Sequence, residues 1–307
     1  MLSATYYSKL NNQEIKCYNA IYNDVCKFKF IISVPYGVTC KSISAVANEH
    51  PELFFWNHTS YKTEMSILGT SVILNYLYSD NECRYIEKKA NQISSACKSR
   101  TEEETIRKIH NYLVKNVSYD YNGIGKPENH NAGGIFLYNK GVCEGIAKAF
   151  QWLCHLCDIE CTVIEGTLAG GAHMWNIVTI NGKNYHVDVT QDIAVTDKSW
   201  NKPSYMYYLV TDSEIKEDHI FSENFNCINT EANPFYKAGK VFRSENELRR
   251  YLKSIPRTER LIYFKYFGGL PKDNIIQIAA AELQSSLSMK ENAGTYYLER
   301  LTIKSQV

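Results

Sequence analysis

The stretch Ala172-His173-Met174-Trp175-Asn176-Ile177-Val178-Thr179-Ile180-Asn181-Gly182-Lys183-Asn184-Tyr185-His186-Val187-Asp188 reads as a β-hairpin. Asn181-Gly182 is the dipeptide of a two-residue turn, and β-branched residues flank it. With those two residues as the loop, Ile180 pairs with Lys183. Counting outward, Trp175 faces Asp188 and His173 faces Thr190. Strand side chains alternate, so His173, Trp175, Ile177, His186, Asp188 and Thr190 share one face, and His173 and Asp188 become diagonal neighbours. An imidazole oriented by a carboxylate has the form of a general base. His186 runs beside Asp188 on the same strand rather than toward it, which leaves His173 as the candidate base. A slip of one residue in the hairpin would turn His173 to the opposite face.

Upstream, Gly141-Val142-Cys143-Glu144-Gly145 opens a run in which Cys143, Ile146, Ala147, Phe150, Leu153, Cys154 and Cys157 recur every three or four residues, the stripe of a buried helix. A thiol therefore stands at a helix amino terminus, where free N–H groups and the positive end of the dipole favour a thiolate and are able to hold an oxyanion. Gly141 and Gly145 read as positions where a substrate could approach the backbone. Cys143, His173 and Asp188 are thus candidates for nucleophile, base and orienting acid in acyl transfer. Asn131, in the loop ahead of Cys143, and Trp175 are candidate substrate or oxyanion contacts.

These residues resemble the transglutaminase-like domains of bacterial proteins, within the superfamily of transglutaminases and thiol proteases. The resemblance rests on GVCEGIAKAF around Cys143, on AHMWNIVTINGKNYHVDVTQD around His173 and Asp188, and on Tyr208-Leu209-Val210-Thr211-Asp212 with His219. It covers roughly residues 100–221, and residues 50–56 look like a segment often placed ahead of such domains. The resemblance implies an α+β fold: a transglutaminase-like (papain-like) core in which the helix carrying the nucleophile packs on an antiparallel sheet, flanked by smaller α/β regions. It also implies that Cys143, His173 and Asp188 form the catalytic triad. Two positions depart from the family pattern: Thr190-Gln191-Asp192 stands where Thr-Trp-Asp is usual, and Met174 where a smaller residue is common. The expected activity is cysteine-dependent acyl transfer on amide bonds of protein or peptide substrates, as a peptidase or amidase or as a protein-glutamine transglutaminase, with the small core favouring hydrolysis. The alternative is a catalytically silent protein-interaction module on the same fold.

The chain has 307 residues, more than one domain usually needs, and divides on pattern into 1–98, an α/β region, 99–226, the catalytic core, and 227–307, an α/β unit of unnamed role. Helices are expected over 3–26, 39–48, 81–98, 100–116, 245–253 and 272–286. Strands are expected over 28–32 with an end at Pro35, and over 53–56, 64–68, 71–78, 161–165, 173–180 and 184–190, and beyond Asn226 the chain reads as strand, helix, strand, helix, strand. Residues 119–141 read as a loop broken by glycines. Lys plus Arg number 34 against 33 Asp plus Glu, so no net field exists to hold nucleic acid, and no apolar run is long enough to span a membrane. The amino-terminal residues carry no secretory pattern and the ten cysteines are irregularly spaced, which together point to a reducing cytoplasmic setting. Cys154-His155-Leu156-Cys157 lacks the second cysteine pair of a zinc site and falls on the apolar stripe. No phosphate-binding glycine loop follows a strand, so neither metal nor cofactor is expected.

Overall fold

A computed structural model describes residues 6–34, 40–67, 69–197, 200 and 202–301. The first helix, α1 (Asn12–Val25), opens with a reciprocal capping box: Asn11 accepts the Glu14 N–H at 3.0 Å and Glu14 accepts the Asn11 N–H at 2.8 Å. After β1 (Ile31–Val34) and α2 (Cys40–Glu49) come β2 (Lys62–Ser66) and β3 (Gly69–Ile73), and the three strands form an antiparallel sheet in the order β1-β3-β2. Two helices follow, α3 (Asp80–Cys97) and α4 (Glu102–Asn116), the second capped by the Thr101 side chain on the Glu104 N–H. The expected positions 3–5, Pro35, Thr39 and Leu68 lie outside the described residues.

The chain then runs through β4 (Ser118–Tyr119), α5 (Ala132–Tyr138), β5 (Lys140–Gly141) and α6 (Cys143–His155) into β6 (Cys161–Leu168), β7 (Gly171–Ile180) and β8 (Lys183–Val187). Beyond α7 (Val189–Val195) lie β9 (Tyr208–Val210), α8 (Asp212–Ile215) and β10 (His219–Ile220). Five strands make an antiparallel sheet in the order β10-β6-β7-β8-β9. Asn181 and Gly182 both take positive φ, 49° and 75°, as the two-residue turn requires, and Ile180 pairs with Lys183 and Ile177 with His186.

Each face of this sheet meets a different partner. Val178, Ile180 and Val187 pack on Ile146, Ala149, Phe150 and Leu153 of α6, in a cluster that extends back to Leu10. Ile164, Trp175 and Ile177 pack the other way, against Met206, Tyr207, Phe225, Leu261 and Tyr297. Burying one large apolar side chain of this kind stabilises the fold by roughly 1.5–3 kcal/mol. The carboxy-terminal unit holds α9 (Pro234–Lys237), β11 (Val241–Phe242), α10 (Glu245–Ser254), β12 (Leu261–Tyr266), α11 (Lys272–Leu283), β13 (Leu287–Asn292) and β14 (Thr295–Arg300), with a sheet ordered β11-β12-β14-β13. A buried ion pair, Lys265 Nζ to Glu214 Oε1 at 2.6 Å, ties that sheet to α8.

Strand ends shift, β1 covering Ile31–Val34 where 28–32 was expected and β3 covering Gly69–Ile73 where 71–78 was expected, and four expectations differ in kind. Residues 53–56 are not a strand: a 3-10 turn covers Pro51–Leu53, and Leu53, Phe54, Phe55 and Trp56 are all buried, so the run lacks the alternation of a half-buried strand. Residues 119–141 are not a continuous loop, because they contain α5. Gly133 and Gly134 sit inside that helix for close packing, a Cβ at Gly134 falling 1.9 Å from the Glu128 carbonyl oxygen. The strand expected over 184–190 stops at Val187, where Asp188 caps α7 by accepting the Gln191 N–H at 3.0 Å. The carboxy-terminal unit ends in a hairpin, β13 with β14, one strand more than the sequence pattern suggests.

Candidate active site

Cys143 is the first residue of α6 and is half-buried. Val142 holds the cap position of this helix and no side chain caps it among the described residues, whereas side-chain oxygens of Thr101, Asn131, Asp188 and Ser244 cap α4, α5, α7 and α10. The first-turn N–H groups of α6 therefore keep their attraction for an anion beside the Cys143 thiol. The segment before α5 fastens this turn: the Val142 N–H donates to the Asn129 carbonyl at 3.2 Å. A Cβ at Gly145 would lie 2.2 Å from that same oxygen, and one at Gly141 would lie 3.0 Å from it. The space beside these glycines is filled by the chain itself, which replaces the expected substrate approach.

His173, on β7, is 8% exposed and donates from Nε2 to Asp188 Oδ2 at 2.6 Å. The Cys143 side chain interacts with His173 and also with the Tyr119 hydroxyl. Burial works against a charged imidazole, yet Asp188 and, to a lesser extent, Cys143 outweigh it and push His173 up to about 10. Asp188 is fully buried; desolvation opposes its charge, but His173 and His219 hold it well below the usual carboxylate range. The hairpin brings this pair together even though Asp188 lies past the strand's end, because its N–H still donates to the Tyr207 carbonyl at 3.0 Å and keeps the carboxylate beside β7.

The other two candidates have different tasks. Asn131 is 2% exposed, and its side-chain oxygen accepts the Gly134 N–H at 3.2 Å and the Tyr78 hydroxyl at 2.9 Å while its amide donates to the Pro127 carbonyl at 3.3 Å. It is the cap of α5, its side chain turned to Gly134, Tyr78 and Pro127. Trp175 is 1% exposed and donates from Nε1 to His186 Nδ1 at 3.0 Å, so the indole supports the site from within the core instead of facing a substrate. Its ring stacks on His173 with centroids 5.8 Å apart. In Thr190-Gln191-Asp192 the departing residue, Gln191, is half-buried, and the Asp192 that follows is fully buried and accepts from His110 Nε2 at 3.0 Å, joining α7 to α4.

Two features had no role in the sequence reading. His219, on β10, donates from Nε2 to the same Asp188 Oδ2 at 3.0 Å. It falls within the sequence resemblance, which assigned it no task. The second feature surrounds Glu144, next to the thiol, which accepts from His58 Nε2 at 2.7 Å, Lys148 Nζ at 2.6 Å and His130 Nδ1 at 2.8 Å. Desolvation raises the Glu144 pKa, but Lys148 and the two histidines more than reverse it and hold the group far below the ordinary range. A negative charge beside Cys143 would disfavour a thiolate; here it is neutralised locally.

Among the described residues, two groups place three ligand-type atoms within 4.8 Å of one another: His173, Asp188 and His219, and His186, Asp212 and Cys227. In the first, both nitrogens lie 2.6 and 3.0 Å from a single oxygen. Two ligand atoms each about 2.0 Å from a tetrahedral zinc would stand roughly 3.3 Å apart. The spacing is that of shared protons.

Comparison with known proteins agrees with this architecture. Residues 87–189 match the transglutaminase-like superfamily. Kyphoscoliosis peptidase of Homo sapiens is 24% identical over 146 residues, 42% of this chain and 22% of that protein, and the Mus musculus protein is 23% identical over 141 residues, 40% and 21%. The chain spans about a fifth of the length of these curated relatives. A solved structure of a TGase aligns over 46% of each chain at 13% identity with a TM-score of 0.33. No helix among the described residues is long and apolar enough to cross a membrane. With helix α6, which opens at Cys143, packed on an antiparallel sheet, the architecture is of the α+β class, and its residues 87–189 are similar to the transglutaminase-like superfamily.

Proposed function

We propose that the chain is a cysteine-dependent acyl-transfer enzyme acting on amide bonds of protein or peptide substrates, with Cys143 as nucleophile, His173 as general base and acid, and Asp188 as the group that orients His173. The observation that carries this reading is the buried 2.6 Å His173–Asp188 pair, with the thiol of an uncapped helix start interacting with the same imidazole. Sγ of Cys143 attacks the amide carbonyl carbon, and the thiol proton resides on His173. Collapse of the tetrahedral adduct breaks the C–N bond, and His173 delivers the proton to the leaving amine. The first-turn N–H groups of α6 support the oxyanion. Water then attacks the thioester, His173 takes its proton, and the C–S bond breaks to restore Cys143. An amine in place of water gives transfer instead of hydrolysis; the small core favours water.

The test is incubation with a mixed peptide library, with and without a small primary amine, using wild type and Cys143→Ala. New amino termini mark a peptidase, ammonia without chain cleavage an amidase, and mass gain by the amine a transglutaminase-type transfer. Every one of these products is expected to vanish in Cys143→Ala, and full activity in that variant overturns the mechanism.

A further inference from the structure

We propose that His219 is a positioning residue of the Cys143 site: clamped between Asp188 and Asp218 as a buried imidazolium, it shares the Asp188 oxygen with His173 and limits how tightly that carboxylate holds a proton on His173. This rests on the thiol reading given above.

The geometry carries the assignment. His219 is 1% exposed. Its Nε2 lies 3.0 Å from Asp188 Oδ2 and its Nδ1 2.5 Å from Asp218 Oδ1. A carboxylate only accepts, so a ring with a carboxylate on each nitrogen carries a proton on each and is a cation. Asp218 is itself fixed by the Tyr207 hydroxyl at 2.7 Å. The groups facing His219 come from every neighbouring element: Asp188 from the start of α7, Asp218 from the preceding turn, His173 from β7 with ring centroids 5.4 Å apart, and Tyr207 from the approach to β9 at 5.7 Å. Trp175 presents a T-shaped contact at 4.8 Å, and His186 beyond it feels the His219 charge. Burial disfavours the cation, and the two carboxylates overcome it, raising the His219 pKa above its usual value.

The consequence follows from electrostatics in a dry site. Asp188 alone would make His173 a strong base and a reluctant acid. A second cation on the same oxygen offsets part of that attraction, leaving an imidazolium better able to protonate a leaving amine. His219→Gln keeps an N–H for Asp188 but removes the charge, so the His173 pKa rises.

Site-resolved alkylation of Cys143 by iodoacetamide against pH, in wild type, His173→Ala and His219→Gln, reads this directly. The upper limb of the profile reports loss of the His173 proton, and it is expected to move up by roughly one pH unit in His219→Gln while the lower limb moves less. An unmoved upper limb with only a lower rate means a structural role and overturns the proposal. If His173→Ala leaves the Cys143 profile as in wild type, the thiol relay itself is wrong, a separate failure. Should His219→Gln not fold, histidine-labelled wild type serves: the ring 15N shifts of His219, assigned through contacts to the Trp175 ring, are those of a doubly protonated imidazole at neutral pH. A neutral tautomer there overturns the proposal.

Discussion

The central sheet carries two groups of the same composition. One is Cys143, His173 and Asp188; the other is Cys227, His186 and Asp212. Each has a buried histidine bonded to an aspartate, His173 to Asp188 at 2.6 Å and His186 to Asp212 at 2.7 Å, and each has a cysteine close by. Their chemistry differs for three reasons. His186 accepts the Trp175 N–H on Nδ1 and donates from Nε2, so both nitrogens are occupied and the ring is held neutral, its pKa lowered by burial despite Asp212. Cys227 is fully buried, and desolvation together with Asp212 pushes its thiol far above the usual range. Cys143 is half-buried at an uncapped helix start. The comparison teaches that composition does not make a relay: the thiol needs access and a favourable dipole, and the imidazole needs a nitrogen left over.

The widest separation between the two groups is expected in the thiols. Cys143→Ala should lower turnover by several orders of magnitude, as loss of a nucleophile does in a catalytic unit, while Cys227→Ala changes turnover by no more than about threefold. Equal losses in steady-state assays of the two variants would erase the distinction. Next come the acids. Asp188→Asn should cost roughly 10⁴-fold in kcat by leaving His173 without its orienting carboxylate, whereas Asp212→Asn should leave kcat within about tenfold and lower stability by about 1–3 kcal/mol. Denaturant titration alongside kinetics separates these outcomes.

A smaller effect concerns the bulge in β9. Leu209 takes a left-handed φ of 53° in β9, opposite a register shift at His186/Val187. Bulky residues avoid that region, at a cost of about 1–2 kcal/mol. The Asn233 amide donates to the Tyr208 and Leu209 carbonyls at 3.2 Å each and holds the bulge that separates Asp188 from Asp212. Asn233→Ala is expected to destabilise by about 1–3 kcal/mol, measured by urea denaturation, and a neutral result would remove the bulge from the account.

The last prediction uses opposite pH signatures. His173 has a raised folded pKa of about 10, so its contribution to stability is complete below the ordinary value of about 6.5 and is lost as pH rises through about 10. His186 has a lowered folded pKa, so its contribution is present above about 6.5 and is lost as pH falls, when the unfolded chain takes up the proton. Melting temperature against pH should lose part of its alkaline slope in His173→Asn and part of its acid slope in His186→Asn. The reverse assignment would exchange the two clusters' protonation states.

Much of this site was legible in residue order. The Asn181-Gly182 turn, flanked by β-branched residues, dictated the hairpin register, and with it the neighbourhood of His173 and Asp188. The apolar stripe from Ile146 to Cys154 announced α6 and put Cys143 at its start. Glycines were the weak point. Gly133, Gly134 and Gly145 read locally as breakers or as room for a ligand, while in the folded chain Gly134 and Gly145 permit close backbone approaches and Gly133 makes room for the Phe54 and Tyr78 rings, which no local pattern encodes. Asn131 was a polar residue near a thiol in sequence, and only the position of α5 turned it into a cap.

The sequence by itself determined the period of each element, the turn that joins β7 to β8, and the residue types able to perform thiol chemistry, because these depend on steric and hydrophobic preferences over a few neighbours. Tertiary structure alone decided that both nitrogens of His186 are engaged, that Asp188 is shared with His219 from a strand on the far edge of the sheet, and that Glu144 beside the thiol meets Lys148, His130 and His58. Those outcomes depend on desolvation and on charges brought together from distant parts of the chain, and such terms exist only once the chain has excluded water.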